Sequence, residues 1–197
     1  MALRLETLRG HSVQRHLAGL AKLRIEVFRD WPYLYDGSLN YESDYLRAFA
    51  NAPHAAIVGA FDGAALVGAS TAAPLAEQAD YVVAPFRERG LALEEFFYFG
   101  ESVLKKNYRN LGLGVQFFEA REAVARDLPG IKTCVFCAVI RSPGDKRAPD
   151  GYKPLDEFWR RRGYSVWEGM TCAIGWTEIG AAEETEQRMQ FWRKDLT

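Results

Sequence analysis

The chain has 197 residues, enough to bury one proper core and few enough for one domain, so neither disulfide nor metal staples are needed. Apolar residues at 48% and charged residues at 26% exclude a disordered chain and a repeat fibre. Lys plus Arg (25) against Asp plus Glu (26) leaves a net charge of −1, which supplies no strong field for nucleic acid or an anionic membrane, so neither is expected as a partner. The stretch from Met1 to Thr7 lacks the cationic start and apolar core of a secretory signal. The longest apolar runs, Ala55 to Phe61 and Cys134 to Ile140, fall far short of the ~20 residues that cross a bilayer. A soluble, cytoplasmic protein is expected.

In chain order, Leu3 to Leu8 alternates as a short half-buried strand. From Ser12 as cap, Val13, Leu17, Leu20, Ala21, Val27 and Phe28 recur at helical spacing until Trp31-Pro32 breaks the pattern, and Leu39 to Asn51 reads as a second, weaker helix. Ala55 to Phe61 and Ala64 to Thr71 flank Asp62-Gly63, the dipeptide that signals a hairpin turn. Ala76 to Arg89 is mixed, irregular or helical, and Phe96 to Leu104 is aromatic and apolar enough for a central strand. Leu113, Phe117, Ala120, Val124 and Leu128 mark a helix ending before Pro129-Gly130, and Ile131 to Ile140 supplies another buried strand. A polar loop, Ser142 to Tyr152, precedes a short helix from Leu155 to Arg162. Tyr164 to Trp167 and Thr171 to Trp176 read as two closing strands. The tail from Glu183 to Thr197 places Met189, Trp192 and Leu196 at helical spacing and reads as an arm packed back on the core. No linker divides the chain, so residues 1–197 form one domain.

Metal and redox chemistry find no support. Cys134 and Cys137 form a C-x-x-C on a strand, where residues three apart point to opposite faces, and the histidines at 11, 16 and 54 lack ligand spacing, so no metal is assigned. The informative stretch joins the strand at Phe96 to the helix at Leu113 through Arg109-Asn110-Leu111-Gly112-Leu113-Gly114. Its glycines allow close backbone approach, and successive N–H groups at the positive end of a helix dipole make a site for phosphate or pyrophosphate. A P-loop is excluded because no Gly-Lys-Ser/Thr follows, and a dinucleotide fingerprint because Phe117 stands where its third glycine belongs.

With R-x-x-G-x-G at Arg109 to Gly114, and with EFWRRRGY on the penultimate helix, most of the chain resembles the GNAT N-acetyltransferase superfamily. The order strand, two helices, hairpin, long strand, glycine loop, helix, strand, helix, strand, strand is also the superfamily's. The resemblance implies an α/β fold with a mixed, mostly antiparallel twisted sheet of about six or seven strands, flanked by helices on both faces. It further implies acetyl-CoA as cosubstrate. Arg109, Asn110, Leu111, Gly112, Leu113 and Gly114 would hold the pyrophosphate, and the backbones of Val103 and Leu104 would pair with the pantetheine arm as an added strand does.

The implied reaction is direct attack of a primary amine on the thioester in a ternary complex. An amine with a reference pKa of about 10.4 must lose a proton, and the resemblance makes Glu101 the candidate base, with a salt-bridged strand residue as its other reading. Glu94 and Glu95 are weaker candidates. The oxyanion would meet a backbone N–H near Val103. Many members protonate the leaving thiolate with a tyrosine four residues before the helix's terminal glycine, where this chain has Trp159. Tyr152 or water then takes that role, or the chain is a non-catalytic acyl-CoA-binding or sensing domain.

Trp31, Tyr33, Tyr35 and Tyr41, interleaved with Asp36, Glu42 and Asp44, form either a pocket for a cationic small-molecule amine or aminoacyl end, with Tyr33 and Tyr35 touching it, or an aromatic core. Arg160 to Arg162 are cations at a helix C-terminus or a phosphate patch, and Lys105 and Lys106 either assist an adenosine phosphate or are exposed. The closing strands and tail are compatible with a homodimer.

Overall fold

The computed structural model describes residues 3–9 and 11–196. Met1, Ala2 and Thr197, which belong to the N-terminal and tail expectations, lie outside them, as does the side chain of His11. One seven-stranded sheet in the order β1-β2-β3-β4-β5-β7-β6 organises the chain, with β1 at Leu3–Leu8, β2 at Ala56–Asp62, β3 at Ala65–Pro74, β4 at Phe96–Leu104, β5 at Thr133–Val139, β6 at Ser165–Thr177 and β7 at Glu184–Asp195. Every neighbouring pair is antiparallel except β4 and β5. The helices are α1 (His11–Phe28), α2 (Leu39–Asn51), α3 (Asp80–Glu88), α4 (Leu113–Asp127) and α5 (Asp156–Arg160).

Strand alternation assigns the helices to two faces. Ile57 and Phe61 of β2 join Leu20, Leu23 and Leu46 of α1 and α2, whereas Val58 and Ala60 join Leu113 and Phe117 of α4. Farther along the sheet, Tyr98 and Cys137 pack with Val83 and Phe86 of α3, while Phe97, Phe99 and Phe136 pack with Phe118 of α4 and Phe158 of α5. Cys134 and Cys137 thus enter different clusters, and all three cysteines are buried and free. Among the described residues no helix is long and apolar enough to cross a membrane, and no group of His, Cys, Asp or Glu is placed to hold a metal ion.

The hairpin forms with Gly63 at φ +60° in its turn and Asp62 opposite Ala65, one residue later than the dipeptide suggests. Helix α1 starts at His11, so Ser12 lies in its first turn, where its Oγ accepts from Arg9 N at 2.8 Å, and the helix ends at Phe28, before Trp31-Pro32. Two expectations need larger correction. The closing strands are one, β6, whose register shifts between Val166 and Thr171, where Gly169 takes φ +69°. The tail is the strand β7, inserted between β5 and β6. Met189 and Phe191 face the α3 cluster and Trp192 the opposite one, so alternation across a paired strand accounts for the apolar positions better than a helical stripe. Pairing with a distant strand, invisible to local periodicity, decides the outcome.

β7 joins two parts of the core, so Phe191→Ala is expected to cost about 3–5 kcal/mol in urea unfolding. A loss below about 1 kcal/mol would show that β7 is peripheral.

Candidate active site

β4 and β5 pair only over Phe96–Tyr98 and Thr133–Val135. Beyond those residues β5 keeps β7 and β4 keeps β3, so from Phe99 onward β4 presents an edge without a strand partner inside the sheet. A cleft of about 890 Å³ opens there, lined by Phe99, Glu101, Ser102, Leu104, Phe136 and Trp159 among others. Unpaired backbone groups on such an edge are ready to receive an extended ligand as a further strand.

The register of β4 shifts beside Thr71, with Ala72 opposite Phe99 and Ser70 opposite Ser102. Gly100 and Glu101 therefore share one partner, a β-bulge. Thr71 fixes it: its Oγ1 accepts from the Glu101 amide at 3.1 Å and would lie 2.5 Å from any Cβ on Gly100. The extra residue reverses the alternation, so Phe97 and Phe99 face α4, whereas Val103 packs and Glu101 ion-pairs on the α1 side. Lys105 N–H donates to Val67 O at 3.0 Å, and with Val103 opposite Ala69 the antiparallel pattern turns the Val103 amide towards β3. The amides of Ser102 and Leu104 point to the open edge. Val103, whose backbone the resemblance pairs with the pantetheine arm, is therefore turned away from the opening, whereas Leu104 keeps the expected edge position and Ser102 is the other amide near Val103 that faces it.

The glycine loop closes one end of the cleft. Asn110 and Gly112 are left-handed, at φ +63° and +80°, and Gly112 caps α4. The first bonded amides of the helix are those of Val115 and Gln116, both on Gly112 O, which leaves the amides of Leu111, Gly112, Leu113 and Gly114 for an anion. Gly114 lies under Phe158, whose Cζ would be 3.2 Å from a Cβ there. Leu113 is buried against the sheet and Leu111 is exposed. Arg109 bends back to donate to Leu104 O at 3.3 Å and lies 3.8 Å from Asp30. Lys105 and Lys106 pair with Glu26 and Asp30.

At the other end, on the α1 side, lies a buried charge cluster. Arg24 binds Glu42 through Nε and Glu101 Oε1 through Nη1 at 2.5 Å, with Tyr45 donating to Glu101 Oε2 at 3.2 Å. Burial opposes the charge on Arg24, but Glu101, Tyr45 and Glu42 outweigh it and raise its pKa. Two carboxylates face one guanidinium, so the cluster carries a net charge of 1 − 2 = −1 with all groups ionised. Burial raises the pKa of the Tyr45 phenol, and adjacent Glu101 raises it further. Tyr33 and Tyr35 both line the cleft. Tyr33 packs with tilted rings between Phe28 and Trp176, and Tyr35 lies across Gly37, where a Cβ would come within 2.4 Å of its ring.

The chain segments around this end are tied together. Arg141 donates to the carbonyls of Pro32 and Tyr33 at 2.6 and 3.1 Å and pairs with Glu178, which also holds Arg147. Tyr152 is 37% exposed, lines the cleft and meets Trp31 edge-on at 6.0 Å. Its pKa is raised by burial and by Asp156, which keeps its proton in place at neutral pH. Trp159 packs on Phe136 and Trp192. Glu95 pairs with Lys132, away from the cleft.

Arg24, Thr71, Ser102 and Arg121 are the residues that sequence reading passes over. Arg24 and Arg121 each interrupt the apolar stripe of an amphipathic helix, beside Val27 and Phe28 or Phe117 and Phe118. That was a readable signal of a buried cation.

No family model matches the chain, and no curated protein matches it in sequence. In structure it is similar to Arabidopsis thaliana NAA60 in complex with acetyl-CoA (11% identity, TM-score 0.64, 99% of each chain covered). It is likewise similar to a ribosomal-protein-alanine N-acetyltransferase from Brucella melitensis (13%, 0.62, 100% of each) and to an acetyltransferase of the GNAT family from Streptococcus pneumoniae (14%, 0.57, 98% of this chain and 99% of that one). The chain has the GNAT acetyltransferase fold, with its mixed, mostly antiparallel sheet.

Arg24 is the cation shared by two carboxylates, so Arg24→Met is expected to cost about 3–5 kcal/mol in thermal or urea unfolding by leaving both without it. Adding Glu42→Gln should recover part of that loss; no recovery would show that the cluster is not the cause.

Proposed function

We propose that the protein is an N-acetyltransferase that moves an acetyl group from acetyl-CoA to a primary amine by direct attack. The observation that carries this reading is the junction of an open β4 edge with a loop of free amides, one suited to an extended amide-bearing arm and the other to a pyrophosphate. In this reading Leu111 to Gly114 bind the diphosphate, Arg109 lies beside it, and Leu104 pairs with the arm. Acetyl-CoA supplies the activated acyl thioester.

Glu101 receives the amine proton, directly or through water, on a carboxylate oriented by Arg24 and Tyr45. Ser102 N–H meets the oxyanion as it develops, and Tyr152 returns a proton to the departing thiolate. The net negative charge beside Glu101 and the rings of Tyr33 and Tyr35 favour a cationic acceptor, either a small amine or an aminoacyl end. Trp159 is a packing residue here and Tyr164 is buried, so the vacated acid role falls to Tyr152, the phenol of this region that lines the cleft.

Acetyl-CoA is expected to bind in calorimetry at micromolar concentration. Gly112→Glu, which brings a side chain and a negative charge to a left-handed loop position, should abolish that binding. Absence of binding by the unmodified protein would overturn the transferase and the sensing readings together. With an amine panel, release of CoA supports transfer, whereas binding without release supports a sensing domain. Tyr152→Phe should lower turnover by about 10²-fold with acetyl-CoA affinity unchanged, and unchanged turnover would remove Tyr152 from the mechanism.

A further inference from the structure

Arg121 is only 2% exposed, on the third turn of α4, and among the described residues no carboxylate lies within ion-pair distance of it. Its neighbour Glu122 is held by Lys194, Arg126 and Tyr164. Desolvation lowers the Arg121 pKa to about 10, so the guanidinium remains charged at neutral pH. Such a burial is costly, and a methionine or leucine would fill an apolar stripe without that cost.

The hydrogen bonds of Arg121 show where the charge is directed. Nε donates to Phe117 O at 3.1 Å, while Nη1 donates to Thr71 O at 3.4 Å and to Glu101 O at 3.3 Å. The rings of Phe99 and Phe118 lie 4.2 and 4.9 Å from the guanidinium and keep water from it. Glu101 C=O and Ser102 N–H belong to one peptide unit, in which carbonyl and amide point in opposite directions. A cation bound to that carbonyl withdraws electron density along the peptide and strengthens its N–H as a donor. This peptide is also the one that leaves the bulge, so its direction determines whether the Ser102 amide meets the cleft.

We propose that Arg121 is a positioning residue that orients and polarises the Glu101–Ser102 peptide, so that the Ser102 N–H binds the thioester carbonyl and the oxyanion formed from it. The proposal rests on the reading of the cleft as an acyl-CoA site. It assigns Arg121 no contact with the substrate. A cation on the far side of the peptide stabilises the negative charge that grows on the near side, and a preorganised donor of this kind contributes most where water is excluded.

The test uses acetyl-CoA labelled with carbon-13 at the thioester carbonyl, whose infrared stretch falls as the hydrogen bond it accepts strengthens, and requires no acceptor. With the unmodified protein the band should lie below its position in water. In Arg121→Met it should return at least halfway, whereas Arg121→Lys, which restores a cation, should recover most of the shift. Arg121→Gln, which keeps a donor without charge, reports if the methionine variant fails to fold. Affinity for CoA lacking the acyl group should stay within about threefold throughout, because its sites are the loop amides and Leu104. An unchanged band in folded Arg121→Met or Arg121→Gln, or failure of all three variants to fold, would assign Arg121 a structural role alone and overturn the proposal. Failure of the unmodified protein to bind acetyl-CoA would instead overturn the reading of the cleft on which the proposal depends.

Discussion

The parting of β4 from β5 is the constraint on which the site depends. A parallel pair that separates after Tyr98 and Val135 leaves backbone donors and acceptors inside the protein without a strand to bond them. The bulge at Gly100–Glu101 then sets which groups meet the opening. Without it, Glu101 and Val103 would share the face of Phe97 and Phe99 and lie against α4. With it, Glu101 reaches Arg24 and Tyr45 while Phe99 remains in the opposite cluster. One inserted residue thereby places an acidic group and an apolar wall on opposite sides of the same edge.

Two buried arginines support this arrangement from opposite faces of the sheet. Arg24, from α1, gathers Glu42 and Glu101 and places the excess negative charge at the end of the cleft away from the glycine loop. Arg121, from α4, binds the carbonyls of Glu101, a bulge residue, and of Thr71, the residue opposite the bulge. Neither charge lies at the surface, where salt would screen it, so both act at close range on one short stretch of β4. At the mouth, Arg141 and Glu178 tie the segments bearing Tyr33 and Arg147 together, so the cleft wall is held by hydrogen-bonded side chains as well as by packing.

Much of this was legible in the sequence, for identifiable reasons. The β4 run and the R-x-x-G-x-G turn are local patterns, and local patterns survive tertiary context when glycine geometry demands them, as at Gly112. The hairpin and α2 were readable on the same terms. β7 was not, because Met189, Trp192 and Leu196 satisfy a helical period and only pairing with β5 shows Met189 and Trp192 to be strand residues, with Leu196 just past the strand's end. The bulge also escapes period-two reading, which counts Phe99, Glu101 and Val103 on one face. The resemblance therefore locates the edge amide only to the neighbourhood of Val103, and the bulge decides that Ser102 and Leu104 face the opening. Arg24 and Arg121 interrupt apolar stripes, which points to a buried cation, but only the packing of α1 and α4 on the sheet shows what each one binds.

The most direct test of the central claim, that an acyl-CoA lies along the open edge of β4 with its diphosphate on the loop, is a titration of the nitrogen-15-labelled protein with acetyl-CoA followed by amide resonances. The largest shifts are expected at Ser102, Leu104 and Leu111 to Gly114, with little change at Val103, whose amide is already turned to β3. Shifts confined to residues outside the cleft, or no shifts at millimolar acetyl-CoA, would contradict it.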